Sequence, residues 1–191
     1  MAIHDWISGK WIEIFGAIAG IIYVFLEIRQ NIWLWPVGII TSAVYIMVFF
    51  ASKFYADMSL QLYYLVISCA GWYWWVKGGK RDVKLKVTRL KLKTAIILSI
   101  VFIMLYLLLW FILSRLTDSP VPEWDSFITS LSIVATWMLA RKIYEHWFLW
   151  IVVNSASSVI FLTRGLYPTV ILYMVYLLMS FAGLKVWKRS L

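Results

Sequence analysis

Charge is what this chain has least of. Of 191 residues only 14% are Asp, Glu, Lys or Arg, against roughly 25% in soluble domains, which excludes an ordinary water-soluble fold. There is a single cysteine, Cys69. Alone it forms no internal disulfide and builds no zinc site; inside an apolar run it reads as a small buried residue. The two histidines, His4 and His146, fall near the ends of apolar stretches, too few and too scattered for a metal centre. Enzyme signatures are missing as well: no HExxH, no GxSxG, no phosphate loop and no paired acidic motif. The N-terminus, MAIHDWISGKW, is too polar for the core of a cleavable signal.

What is abundant is apolar and aromatic. Hydrophobic residues make up 63% of the chain and aromatics 18%, with 13 Trp. Trp and Tyr gather at membrane–water interfaces, and their ring faces also hold flat or cationic ligands. The formal charge of +9 invites a nucleic-acid reading, but the basic residues sit between apolar runs and not on a soluble domain. A helix crosses a bilayer core with about 20 apolar residues. Seven such stretches are present, at 11–28, 32–51, 55–76, 94–116, 125–140, 144–163 and 166–187. Bare backbone is not tolerated in lipid, so each is expected to be helical. Pro36 and Pro168 fall in the first turns of their helices, where a missing N–H costs little. The fold class expected is an all-α integral membrane protein.

The second half repeats the first. Residues 29–77 align on 141–189 without a gap, at a shift of 112. Arg29 meets Arg141, Phe49 meets Phe161, Tyr55 meets Tyr167, Tyr64 meets Tyr176, Ser68 meets Ser180, Gly71 meets Gly183 and Trp75 meets Trp187. Three helices end on the side opposite their start and a fourth crosses back. The triplets are therefore expected to be parallel repeats: a first bundle at 11–76, a linker helix at 94–116 and a second bundle at 125–187. Duplicated helix bundles are a common transporter build, with the substrate near the midplane between halves. Residues 77–93, KGGKRDVKLKVTRLKLK, form a basic connection. It reads as an ordinary topogenic loop, with a specific anionic-lipid site as the alternative. Lys10, Lys53, Arg115 and Arg164 share one face and the remaining basic residues the other. The Lys/Arg excess marks the cytoplasm, which places the N-terminus outside and the C-terminus inside.

Polar residues at mid-membrane usually face a bundle interior or a cavity. Asp57, Gln61, Tyr64, Ser68 and Trp72 share one face of the third helix; Trp147, Trp150, Asn154 and Ser157 one face of the sixth; Tyr173, Tyr176, Ser180, Gly183 and Trp187 one face of the seventh. Trp35, Ser42 and Tyr45 are candidates on the second. The repeat superposes Ser42 on Asn154 and Gln61 on Tyr173. The small residues Ser68, Ser180, Gly71 and Gly183 read first as packing devices, Trp72, Trp75 and Trp187 as interface anchors, and Asp57 as a cap or partner of Lys53. Gln61 and Asn154 are the least easily explained away, because an unbonded amide is costly in hydrocarbon. The expected substrate-binding set is Trp35, Tyr45, Gln61, Tyr64, Ser68, Trp150, Asn154, Tyr173 and Tyr176. The deep spans hold no charged residue of the kind that couples transport to protons or sodium, which favours passive transport. No cofactor or metal is expected. A membrane-embedded enzyme acting on a lipid or isoprenoid, and a vitamin sensor that binds without moving its ligand, are the competing classes.

Trp35-Pro36-Val37-Gly38, Tyr45, Tyr55-Ala56-Asp57-Met58, Gln61, Tyr64 and Gly71-Trp72-Tyr73-Trp74-Trp75 resemble the Pnu family of bacterial vitamin transporters. So do Ala135-Thr136-Trp137, Trp147, Trp150 to Asn154, Gly165-Leu166-Tyr167, Gly183 and Trp187. The resemblance spans nearly the whole chain, although the family pattern places Asp where this chain has Asn154. It implies a 3+1+3 arrangement like the SWEET sugar transporters, a homotrimer in the bacterial inner membrane, and facilitated diffusion of an unphosphorylated vitamin. Accumulation is then driven by a cytoplasmic vitamin kinase. Substrates within the family include nicotinamide riboside, thiamine and riboflavin. The first two carry a delocalised ring cation, which Trp and Tyr faces hold at about 0.5–2 kcal/mol per contact. The wording of Thr117 to Pro120 and of Ser132 to Arg141 is similar to thiamine-associated members, which tips the expectation to thiamine.

Overall fold

The computed structural model describes residues 2–51, 55–78, 85–117 and 119–191, without the side chains of 2–10 and 55–57. Its regular elements are seven helices: α1 (Ala2–Ile28), α2 (Leu34–Ala51), α3 (Tyr55–Lys77), α4 (Leu92–Leu116), α5 (Pro122–Ala140), α6 (His146–Thr163) and α7 (Tyr167–Lys188). Five contain spans long and apolar enough to cross a membrane: Trp11–Ile28 of α1, and α2, α4, α6 and α7. α3 and α5 are as long as their neighbours, but each devotes a face to hydroxyls, amides or tyrosines. The chain is an all-α, multi-pass membrane protein.

The chain forms two compact units, Met1–Lys84 and Leu85–Leu191. In the first, α1 packs on α2 and α2 on α3; in the second, α4 packs on α5, α5 on α6 and α6 on α7. The repeat seen in the sequence reaches the backbone of the two corners. At the end of α1, Gln30 takes a left-handed φ of 51°; at the end of α5, Lys142 takes one of 50°. In each, the next residue's N–H reaches the carbonyl five back (Asn31 to Leu26, Ile143 to Met138, both 2.9 Å), and the left-handed residue bonds three back (Gln30 to Glu27, Lys142 to Leu139, both 2.9 Å). This is the Schellman ending, made twice at the same shift of 112. Gly165 (φ 71°) closes α6 in the same way, with Leu166 N–H on the Phe161 carbonyl at 3.0 Å.

α5 is the inner helix of its unit. Its buried hydroxyls bond to their own helix: Ser130 to the Ser126 carbonyl (2.7 Å) and Thr136 to that of Ser132 (2.8 Å). It starts three residues earlier than the apolar run suggests. Pro122 supplies a preset φ at the first turn, and Glu123 and Asp125 complement the helix dipole there. α4 has no buried residue, as befits a helix that faces lipid on most sides. The basic connection is partly ordered. Thr88 pairs with Ile143 at the α5–α6 corner through Thr88 N–H to Lys142 O (3.0 Å) and Tyr144 N–H to Thr88 O (2.9 Å). Asp118 and residues 79–84 of the basic stretch lie outside the described residues.

Candidate functional site: a polar seam in each unit

In the second unit, α6 and α7 face each other across a polar seam. Asn154 is buried and donates from Nδ2 to the Ser180 hydroxyl at 3.1 Å. Ser180 in turn donates to the Tyr176 carbonyl at 2.8 Å. Tyr173 lies beside Ser157 and sets its ring against Phe161 and Tyr176, at centroid distances of 5.2 and 5.8 Å. Trp150 presents an indole N–H that is buried and finds no acceptor among the described residues, as do Trp147 and Trp35. The α6 stretch contains no Lys, Arg, Asp or Glu at all.

In the first unit the same positions serve α2 and α3. Ser42 and Ser68 are buried. Gly38 of α2 lies against the Ser68 hydroxyl of α3 and the Tyr23 ring of α1, so three helices meet there. Gln61 is half-buried on α3 and makes no hydrogen bond to a described residue. Tyr64 sets its ring 5.6 Å from that of Tyr63. Tyr45 turns away towards α1: its hydroxyl donates to the Ile12 carbonyl at 3.4 Å and rests against Gly16. Trp35 is fully buried, its ring wedged against Gly71 and edge-on to Trp75 at 5.4 Å.

The fold thus brings together Trp150, Asn154, Tyr173 and Tyr176 in one unit, and Trp35, Gln61, Tyr64 and Ser68 on the facing helices of the other. Tyr45 stands apart. Three sequence readings are corrected. Trp75 and Trp187 are not interface anchors: both are buried, Trp187 completely, each packed edge-on to a tryptophan of its own repeat, Trp75 on Trp35 and Trp187 on Trp147. Trp72 alone of the three lies on the surface. Cys69 is exposed, not buried. An apolar run does not decide between core and lipid, and Cys69 is rotated about 100° from the buried Ser68. The readings of His4, and of Asp57 with Lys53, fall outside the described side chains.

Two residues escaped sequence reasoning. Glu27, assigned to a span end, is only 2% exposed, and it lies near Tyr23, as do Tyr63 and Tyr64. His146 is fully buried, its Nδ1 2.7 Å from the Ile143 carbonyl and its ring 4.7 Å from both Trp147 and Trp187. The repeat held the missing signal: Glu27 aligns with Leu139 and His146 with Leu34, both fully buried leucines. Among the described residues no group of three or more His, Cys, Asp or Glu is placed to hold a metal.

A family model described as nicotinamide mononucleotide transporter matches residues 10–189. The chain belongs to that family. It is a membrane transporter and not an enzyme. It is 29% identical to the nicotinamide riboside transporter PnuC of Escherichia coli, in a match covering 95% of this chain and 86% of that one. It is 26% identical to the riboflavin/roseoflavin transporter RibM of Streptomyces davaonensis, over 93% and 84% of the two chains. The crystal structure of the vitamin B3 transporter PnuC shares its fold, with a TM-score of 0.73 at 24% identity over 94% of this chain and 81% of that one.

Proposed function

We propose that this family member moves an unphosphorylated vitamin with a flat, cationic ring, thiamine first and nicotinamide riboside second, by facilitated diffusion across the bacterial inner membrane. The observation that carries this reading is the chemistry of the seam between α6 and α7. It offers an amide, hydroxyls, tyrosine faces and indole N–H donors without an acceptor, and no cation. A phosphate monoester carries about 1.5–2 negative charges and needs Lys or Arg at its site. The Lys and Arg residues of this chain stand at or beyond the ends of the apolar spans. A ring cation asks for the opposite: aromatic faces, and a carboxylate such as Glu27 among its tyrosines. The named substrates of the relatives, a pyridinium riboside and a flavin, are also flat heteroaromatic nucleoside-like molecules. Trp35, Tyr45, Gln61, Tyr64, Ser68, Trp150, Asn154, Tyr173 and Tyr176 are proposed to line the substrate's path. With no charge in the α6–α7 seam to carry a coupling ion, net uptake is proposed to follow trapping by a cytoplasmic vitamin kinase. The positive-inside bias supports an external N-terminus and an internal C-terminus, and the family resemblance supports a homotrimer.

The test is a binding titration of the purified protein against thiamine, nicotinamide riboside, riboflavin and the two corresponding monophosphates. The expected result is saturable binding of a cationic, unphosphorylated vitamin, about tenfold or more tighter than its monophosphate, a gap of about 1.4 kcal/mol. Tighter binding of a monophosphate, or of riboflavin over both cations, would sink the reading. A flavin preference would favour the second reading, a RibM-like substrate.

A further inference from the structure

The basic connection between α3 and α4 is the one strongly charged segment that transport does not use, and its described part is built. Residues 85–91 run as a strap across the α5–α6 corner. Two backbone bonds through Thr88 hold it there, and Leu90 N–H bonds to the Glu145 carboxylate at 2.8 Å. Val87 is buried, and Leu90 packs on the cluster of Val134, Met138 and Ile143. With those two side chains turned inward, Lys86, Arg89 and Lys91 are left exposed along the outer edge. None of the three has a partner among the described residues. Immediately after Lys91 begins α4, the most hydropathic span of the chain, and its first residue, Leu92, is 78% exposed. The cations thus stand immediately before the first turn of a membrane-spanning helix.

We propose that this strap is a binding surface for anionic phospholipid headgroups of the leaflet it faces. A loop serving only to set topology has no need of order. Here the backbone is pinned, and three like charges are held in register against their mutual repulsion, beside the exposed Arg141 of the same corner. Glu145, the carboxylate of that corner, accepts from the Leu90 N–H. Headgroup phosphates supply the missing counter-charge. Each basic residue near an anionic membrane surface contributes about a five-fold gain in binding.

The probe is phosphatidylglycerol, compared with phosphatidylcholine, added to the detergent-purified protein and read by native mass spectrometry of retained lipid. The wild-type protein is expected to retain phosphatidylglycerol over phosphatidylcholine by about ten-fold or more, unaffected by millimolar inorganic phosphate. The variant Lys86→Gln/Arg89→Gln/Lys91→Gln should lose that preference, and Arg89→Gln alone should lower it about five-fold. Arg115→Gln/Arg164→Gln, which removes charge at the opposite end of the same unit, should leave it intact. Equal retention of the two lipids overturns the proposal. So does full preference in the triple variant or in a folded Arg89→Gln protein, loss of preference in Arg115→Gln/Arg164→Gln, or displacement of lipid by inorganic phosphate.

Discussion

Trp147 fills the space that Gly183 leaves on α7, and Trp35 does the same against Gly71 on α3. A methyl group at either glycine would overlap the indole that packs on it, so Gly71→Ala and Gly183→Ala should each lower stability by about 1–3 kcal/mol. Thermal unfolding in detergent measures it, and a loss at one position without a loss at the other would break the equivalence of the two clusters. Asn154 is the residue on which binding and packing compete. Leu keeps roughly its volume and removes the Nδ2 donor to Ser180, while Ser180 still reaches the Tyr176 carbonyl. Folding should suffer little. A ligand group left unpaired costs about 1–3 kcal/mol, so vitamin affinity of Asn154→Leu should fall roughly 5- to 150-fold. Unchanged affinity in a monodisperse protein would make Asn154 a helix contact only. At this scale the sequence spoke through spacing. Gly71, Gly183, Ser68 and Ser180 were legible as close-packing positions because small residues recur on one helix face. Trp75, Trp187 and Cys69 were not, because burial of an aromatic or a thiol depends on what the neighbouring helix offers.

α4 and α5 are both long helices in one unit, yet their surroundings are opposite. α4 buries nothing; α5 buries most of its hydroxyls and its apolar C-terminal half. Met138 is 1% exposed, packed with Val134 and Ile143, whereas Met104 on α4 is 66% exposed. Met138→Ala should cost about 2–5 kcal/mol through the cavity it leaves. Met104→Ala, whose methyls meet lipid in either state, should cost under about 1 kcal/mol. Ser130→Ala should be nearly neutral, because its hydroxyl bonds only to its own helix and the carbonyl it leaves keeps its helical partner. Chemical unfolding of the three variants in the same detergent orders them; equal losses would contradict the inner placement of α5. Hydropathy alone located the helices to within a few residues at most ends, since 20 apolar residues have one solution in lipid. The start of α5 at Pro122 and the pinned strap at 85–91 were missed. Both depend on turn chemistry and corner hydrogen bonds that no apolar count records.

Over the whole molecule, the duplication is the deepest regularity. It is written in side chains at a shift of 112, in paired Trp–Gly–Trp clusters, and in two Schellman corners that each carry the same pair of backbone bonds. The two copies differ at three of the positions proposed for function: Asn154 against Ser42, Tyr173 against Gln61, Trp150 against Gly38. The fold was readable from sequence because repeat and span length constrain it twice over. The substrate was not, because flat cationic vitamins differ in a few hydrogen bonds while sharing the same ring chemistry. The decisive measurement is uptake of radiolabelled thiamine and nicotinamide riboside into liposomes holding the purified protein, with and without proton and sodium gradients. Facilitated diffusion predicts that at least one of the two vitamins equilibrates to the same level under every gradient, with label exchanged freely in both directions. Uptake that requires a gradient, or flux of neither vitamin, would contradict it.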